Sequence, residues 1–346
     1  MGGLAKRLTV AVLATLATAL VAELAFRATR ERFGVRTTDI WELRAHVCDG
    51  RSRFRPAAYV GWTFEPGREG VDASGFLGPG FPRARRPGVA RIACLGGSTT
   101  AGNLYEGYAA SYPGALAAVL SERLGHEVEV LNFGVAGWTT AESLVNWMLN
   151  ARDFAPDVVV VHHAINDVFP RLAEGFRSDY RHYTHPWREE PTSFLHRFLT
   201  RWSDIYAAVQ LHEGPFQLSE HVSIPIERLG RTTLDPATHV AFARNLGLLV
   251  EDVRRAGGVP VLMSMPWERA RPSDAFDGLC IDGMREHYEL ARSLAAATDT
   301  PFFDLAAVDD PRLAREFVDR VHFSSAGNRR KAELLADFLL ARGLVR

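Results

Sequence analysis

The chain has 346 residues, of which 47% are hydrophobic and 23% charged, and its formal net charge at pH 7 is -1. A chain of this size can bury a full hydrophobic core, and the composition is that of an ordinary globular protein. The near-zero net charge gives no indication of a nucleic-acid partner, and we expect none.

Residues 1–30 have the pattern of a membrane-crossing helix or an export signal. Two basic residues precede an apolar run from Leu8 to Phe26, which as a helix would be about 28 Å long and would match the bilayer core. Ala17-Thr18-Ala19 fits a small-residue cleavage site, so a cleaved signal peptide is the alternative to an uncleaved anchor, and a buried helix of a soluble protein is a third interpretation. We expect the rest of the chain to lie outside the cytoplasm, anchored or secreted. The arginines after the run leave its orientation open.

Residues 31–89 carry many Arg, Gly and Pro residues with scattered aromatics, which predicts an irregular extension packed on the main domain. The chain has three cysteines. Cys94 falls in a predicted strand and is expected to be a small core residue. A Cys48–Cys280 disulfide is compatible with an extracytoplasmic location, but the sequence does not decide it.

From residue 90 to residue 346, predicted strands and helices alternate. The strands are predicted at 91–96, 128–133, 157–163, 260–265 and 301–305, and the helices at 112–124, 140–151, 237–256, 281–298 and 325–342. This alternation predicts a three-layer α/β/α domain of flavodoxin-like type with a five-stranded parallel sheet. Right-handed crossovers bring the carboxyl ends of all its strands to one edge, where such sheets bind ligands.

One connection of this domain, residues 168–235, is too long for a simple loop and should have structure of its own. Apolar residues recur at helical spacing between Phe194 and Val209, which predicts an amphipathic helix. Such a helix would either pack on the domain or act as a cap over the active edge of the sheet.

The first strand of the domain ends in Gly96-Gly97-Ser98-Thr99-Thr100-Ala101-Gly102, a turn that could bind a phosphate or present a nucleophile. A Walker-type loop needs a lysine before its last Ser or Thr, and a dinucleotide fingerprint needs G-x-G-x-x-G. The turn fits neither pattern, so we expect no cofactor. If Ser98 is a nucleophile, it needs a base, a group that orients the base, and oxyanion donors.

Residues of those types follow later strands. Asp319-Arg-Val-His322 precedes the last helix, and its spacing allows the carboxylate to fix the tautomer of the imidazole. Gly137, after the second strand, can turn a backbone amide toward a substrate oxygen. Asn166, after the third strand, can donate from its side-chain amide. Each of these residues alone is weak evidence for a catalytic site. Together they are stronger evidence, because all of them are predicted to lie at the same edge of one sheet.

Taken in order, these four blocks resemble the SGNH, or GDSL-type, hydrolase family, and specifically its membrane-anchored bacterial type. The resemblance implies that Ser98 is the nucleophile, His322 the base and Asp319 its orienting partner, with the amides of Ser98, Gly137 and Asn166 forming the oxyanion hole. Gly97 stands where the family often has Asp, and Ala164 replaces a glycine. Both departures are expected to affect turn geometry and to leave the reacting groups intact.

The function this predicts is a serine esterase acting on an acetyl or other short acyl ester, such as that of an acylated glycan in the cell envelope. A polysaccharide O-acyltransferase, a lipid esterase and a non-catalytic glycan-binding protein are the alternatives. His162, His163 and Asp167 suggest a metal site at first sight. Adjacent strand residues point to opposite faces, so the two imidazoles should not share one ion, and we expect no metal.

Overall fold

The computed structural model describes residues 2–49, 54–68, 70–102, 106–185, 193–213, 224, 229–268 and 274–346. The chain divides into two compact units. One unit contains residues 1–54 and 188–221, and the other contains residues 55–187 and 222–346. The long connection, residues 168–235, is therefore divided between the two units. Its middle part, residues 188–221, belongs to the smaller unit together with the N-terminal residues.

The strands are β1 (Phe54–Ala57), β2 (Gly61–Phe64), β3 (Ala90–Gly96), β4 (Val128–Gly134), β5 (Val158–His162), β6 (Val259–Met263) and β7 (Phe302–Phe303). The helices are α1 (Gly2–Thr29), α2 (Thr37–Asp49), α3 (Ser98–Ala101), α4 (Tyr112–Leu124), α5 (Thr140–Leu149), α6 (Phe169–Leu172), α7 (Phe194–Trp202), α8 (Asp204–Glu213), α9 (Val240–Arg255), α10 (Ala275–Ala297), α11 (Pro311–Ala314) and α12 (Ser325–Ala341).

The larger unit is built on a five-stranded parallel sheet with the order β4-β3-β5-β6-β7. Its inner strands β3 and β5 are almost entirely buried and, apart from Arg91 and His162, lack polar side chains, as expected for a sheet covered on both faces. The chain passes from β3 outward to β4 and then returns to the opposite side of β3 as β5. The carboxyl end of β3 therefore lies at the switch point of the topology, where sheets of this type bind ligands.

Helices cover both faces of this sheet. On one face, the leucines of α4 and α12 pack against alternate residues of β3, β4 and β5, and this cluster includes Leu116, Leu335, Ile92, Val130 and Val160. The alternate residues Ala93, Leu95 and Val159 are equally buried, and α5 and α9 contribute Trp147 and Phe242 to the buried set. The predicted three-layer α/β/α fold with five parallel strands is confirmed.

Most predicted elements are present with bounds shifted by a few residues, but two differ. Residues 37–49 form α2, although an irregular segment was expected, because Ile40, Leu43 and Val47 recur at helical spacing and are buried. The amphipathic stretch from Phe194 to Val209 is two helices, since α7 ends at Trp202 and a new helix begins at Asp204. Cys94 and Cys280 are free thiols in buried positions.

The smaller unit consists of α1, α2, α7 and α8. The apolar side chains of α1 are exposed along its length, and Ala5–Phe33 is long and apolar enough for a membrane span or a signal sequence. Ile40, Leu43 and Val47 of α2 pack with Ala207 of α8 in a small core.

Candidate active site

Ser98 lies on a tight strand-to-helix turn at the carboxyl end of β3. The amides of Thr100 and Ala101 both donate to the carbonyl of Gly97 at 3.0 Å, so the helical turn begins at the serine itself. A Cβ on Gly96 would lie 2.1 Å from the Thr100 hydroxyl and 2.8 Å from the His162 carbonyl. The chain therefore requires glycine where it leaves the sheet, and the sharp turn brings Ser98 to the edge.

The structure brings Asp319 and His322 together beside this serine. Nε2 of His322 lies 2.7 Å from the Ser98 hydroxyl, and Nδ1 lies 2.7 Å from Oδ2 of Asp319. A carboxylate that accepts from Nδ1–H leaves Nε2 unprotonated toward the serine, which is the tautomer that a general base needs. Ser98, His322 and Asp319 thus form one continuous chain of hydrogen bonds.

The electrostatics of Asp319 suit this arrangement. Burial raises its pKa, but hydrogen bonds from the His322 ring and from the amides of Val321 and His322 outweigh that effect. Together they hold the pKa of Asp319 well below its usual range, so the carboxylate remains ionised beside the imidazole. The loop that carries it is held by Arg320, which is ion-paired with Asp277 at 2.6 Å.

Asn166 lies next to the turn that carries the serine. Its Nδ2 donates to the carbonyl of Trp138 at 2.9 Å, which leaves one of its two N–H groups for another acceptor. A Cβ on Gly97 would lie 2.5 Å from that same Nδ2 and 3.1 Å from the Trp138 carbonyl. A Cβ at residue 97 would therefore require the Asn166 amide to move.

The turn that contains Gly137 is held by aromatic residues from the N-terminal side of the larger unit. Gly137 adopts a left-handed conformation with φ of 81°, which favours glycine. Nε1 of Trp62 donates to the Ala136 carbonyl at 2.9 Å, and Nε1 of Trp138 donates to the Trp62 carbonyl at 3.0 Å. The reciprocal bonds fix the segment whose amides are the predicted oxyanion donors.

Asp167 joins the turns after β4 and β5, a role that sequence reasoning missed. Its buried carboxylate accepts from the amide of Thr140 at 3.0 Å, from the Thr140 hydroxyl and from the hydroxyl of Tyr180 at 3.0 Å. Asn166 and the start of α5 are therefore tied together through neighbouring residues. Burial raises the pKa of Asp167 to about 7, even though these hydrogen bonds favour its charged form.

A second residue that sequence reasoning missed is Lys331, which lies buried beneath the serine turn. Its Nζ is 2.9 Å from Nε2 of His162 and 3.3 Å from the Thr99 carbonyl, and it lies over the Tyr112 ring. Burial holds the pKa values of Lys331 and His162 well below their usual ranges. The sequence carries no local signal for this contact, because Lys331 belongs to a helix far along the chain.

The two adjacent histidines point in different directions. His162 contacts Lys331, whereas Nε2 of His163 lies 2.8 Å from the Ser143 hydroxyl. Within the ranges that the structure describes, no group of three or more His, Cys, Asp or Glu side chains is arranged to hold a metal ion.

A cavity of about 150 Å³ lies beside the loop that carries His322, and it is open to solvent. Phe323, which directly follows His322, lines it together with Trp267, Leu305 and Phe317. Glu268 and Asp309 also line it, whereas Ser98, His322 and Asn166 do not.

Residues 94–330 match the model of the GDSL-like Lipase/Acylhydrolase family. No curated protein matches the chain significantly. Among solved structures, the chain is similar to LAE5, an alpha/beta hydrolase from the metagenome of Lake Arreo, with 17% identity over 74% of this chain and 96% of that one and a TM-score of 0.43.

Two other similar structures are a lipase/acylhydrolase from Enterococcus faecalis and the acetylxylan esterase Axe2 from Geobacillus stearothermophilus. The first has 17% identity over 73% of this chain and 97% of that one, with a TM-score of 0.43. The second has 16% identity over 74% of this chain and 94% of that one, with a TM-score of 0.41.

The close approach at Gly97 generates a first prediction. Gly97→Ala should displace the Asn166 amide and lower kcat for p-nitrophenyl acetate by up to about 10²–10³-fold, the effect of losing one oxyanion donor. Gly247→Ala is the matched control, since a Cβ there meets nothing within 4 Å. Unchanged kcat in the Gly97→Ala variant would contradict the inferred contact.

The pKa of Asp167 generates a second prediction, about stability. The folded protein holds the Asp167 proton up to about pH 7, whereas the unfolded chain releases it near pH 4. Its stabilising contribution is therefore complete below about pH 4 and is lost as the pH rises through about 7. Relative to Asp167→Asn, the wild type should lose free energy of unfolding between about pH 4 and pH 7, by up to about 1.4 kcal/mol per pH unit.

Denaturant unfolding of both proteins across this pH range measures the difference. Parallel pH profiles for the wild type and the Asp167→Asn variant would show that Asp167 does not titrate in this way.

Proposed function

Because the chain belongs to the GDSL-like lipase/acylhydrolase family and is an ester-bond hydrolase, we propose that it works as a serine esterase with Ser98 as the nucleophile. The observation that carries this proposal is the continuous hydrogen-bond chain from Ser98 through His322 to Asp319. Each group in this chain lies within hydrogen-bond distance of the next, which supports the proposal.

In the proposed reaction, Nε2 of His322 takes the proton of Ser98 as its Oγ attacks the ester carbonyl. The carbonyl oxygen becomes an oxyanion, held by the free N–H of Asn166 and by the backbone amides of Ser98 and Gly137. The C–O bond to the alcohol then breaks, and His322 returns its proton to the leaving oxygen.

Water attacks the acyl-enzyme by the same route, and the acid and free Ser98 are restored. Asp319 remains ionised throughout and stabilises the imidazolium that forms on His322 in both halves of the reaction.

The cavity beside His322 supports a substrate with a compact polar alcohol. Phe323, the residue after His322, lines this cavity. Since the imidazole must protonate the leaving alcohol, we propose that the cavity receives the alcohol part of the substrate. An aromatic wall with carboxyl groups offers a sugar ring both an apolar face and hydrogen-bond acceptors. This favours a short acyl ester of a glycan, with acetyl as the acyl group.

We further propose that α1 remains attached as a membrane anchor, with the catalytic part outside the cytoplasm. The exposed apolar length of α1 and the basic residues before it support this location. A secreted form after cleavage is the alternative.

The proposed roles predict the effect of two substitutions on hydrolysis of p-nitrophenyl acetate. Ser98→Ala should reduce the rate to the residual level that oxyanion stabilisation and binding alone provide. Asn166→Ala should lower kcat about 10²–10³-fold with a smaller change in KM, because its donor acts mainly in the transition state. Ser74→Ala, at an exposed position, is the matched control. Full activity of Ser98→Ala would overturn the mechanism.

The proposed substrate class makes a separate prediction. With p-nitrophenyl esters, kcat/KM should fall as the acyl chain lengthens from acetyl to octanoyl, and acetylated oligosaccharides should release free acetate. A rise with chain length would indicate a lipid esterase. Appearance of the acetyl group on an added unacetylated oligosaccharide, in place of acetate, would indicate an O-acyltransferase.

A further inference from the structure

The end of α1 is bound tightly to the helical hairpin formed by α7 and α8. The carboxylate of Glu23 accepts hydrogen bonds from the Ser203 hydroxyl at 2.9 Å and from the backbone amide of Asp204. Nη2 of Arg27 donates to the Trp202 carbonyl at 2.8 Å. Side chains of α1 therefore cap the free backbone groups where α7 ends and α8 begins.

A buried carboxylate completes this junction. Asp204 is 1% exposed and is contacted by three guanidinium groups, those of Arg27, Arg30 and Arg44. Arg44 also donates to the Thr200 carbonyl at 3.0 Å, which fixes α7 against α2. Since removing one partner of a buried charge network is costly, the junction should hold α7 in a defined position beside the end of α1.

The face of α7 that does not contact α2 is strongly apolar and exposed. We call this face the aromatic stripe, and it consists of Phe194, Leu195, Phe198 and Trp202. These side chains are between 50% and 79% exposed, whereas Thr200 on the other side of the helix is fully buried. Exposed aromatic patches of this kind mark interaction surfaces.

The depth of the aromatic stripe relative to α1 follows from the junction. If the apolar run from Leu8 to Phe26 crosses the hydrocarbon core, Arg27 lies at the boundary between acyl chains and headgroups. The Trp202 carbonyl is bonded to Arg27, so the end of α7 lies at the same boundary. Tryptophan is enriched at the membrane–water interface, and Trp, Phe and Leu form the inserted face of helices that lie in it.

The charges of α7 also fit a lipid surface. Arg197 and Arg201 border the stripe, and α7 contains no acidic residue. An amphipathic helix with aromatic residues on one face and arginines along its border is the type that lies in the plane of an anionic membrane surface.

We propose that α7 lies on the membrane surface, with the aromatic stripe inserted between the acyl chains and the headgroups, and that the α7–α8 hairpin orients α1 at the bilayer boundary. This rests on the membrane anchoring proposed above, but not on the esterase mechanism. It assigns the aromatic stripe to lipid and not to a cap over the active site.

The test uses the full chain, with Cys48 replaced by alanine, in nanodiscs of phosphatidylcholine and phosphatidylglycerol. Nitroxide labels are attached to Leu195→Cys, Phe198→Cys and Leu16→Cys variants, with Glu122→Cys on the larger unit as the water-exposed control. The accessibility of each label to oxygen, which partitions into lipid, is compared with its accessibility to a water-soluble nickel complex. Hydrolysis of p-nitrophenyl acetate verifies that each labelled protein is folded.

We expect labels at positions 16, 195 and 198 to be more accessible to oxygen, and the label at position 122 to be more accessible to the nickel complex. A lipid signal at position 16 with a water signal at 195 and 198 would overturn the proposal and leave the anchor intact. Low accessibility of 195 and 198 to both reagents would mean that protein covers the stripe, either a second copy or the rest of the chain, and would also overturn it.

A water signal at position 16 as well would overturn the anchor and this proposal together. Esterase activity in that case would still stand, so the failure of this inference and the failure of the proposed mechanism can be told apart.

Discussion

The arrangement of the site depends on the space around two glycines at the carboxyl end of β3. Gly96 cannot carry a Cβ, because that atom would meet the Thr100 side chain and the His162 carbonyl, and a Cβ on Gly97 would displace the Asn166 amide. The sheet can therefore end in a turn sharp enough to expose Ser98, and neighbouring strand ends can approach that turn within hydrogen-bond distance.

The parallel register of the sheet aligns the ends of the neighbouring strands with this turn. Gly96 is paired with Gly134 on one side and with His162 on the other, so the segments after β4 and β5 emerge on either side of the serine. Asp167 then joins those two segments through Thr140, and Lys331 supports the serine turn from below. The proposed reacting groups belong to distant parts of the sequence, and the buried hydrogen bonds of Asp167 and Lys331 hold the segments around them together.

The fold and the candidate site could be read from the sequence to different extents. Periodicity predicted the sheet because buried parallel strands are continuous apolar runs, and the order of the blocks placed Ser98, Gly137, Asn166, Asp319 and His322 at one edge. The contacts of Asp167 and Lys331 could not be predicted, since each depends on packing between distant elements. Helix α2 was missed because the many Gly and Pro residues that follow it led the whole of residues 31–89 to be predicted as irregular, although α2 itself contains neither. The break at Ser203 was missed because the apolar periodicity continues across it.

The central claim is that Ser98 is a nucleophile activated by His322, and covalent labelling tests it most directly. The full-length protein would be treated with a fluorophosphonate probe and the modified peptide identified by mass spectrometry. The account predicts a single adduct on Ser98, with labelling greatly slowed in a His322→Ala variant although Ser98 is still present. No adduct, or an adduct on another residue, would contradict it.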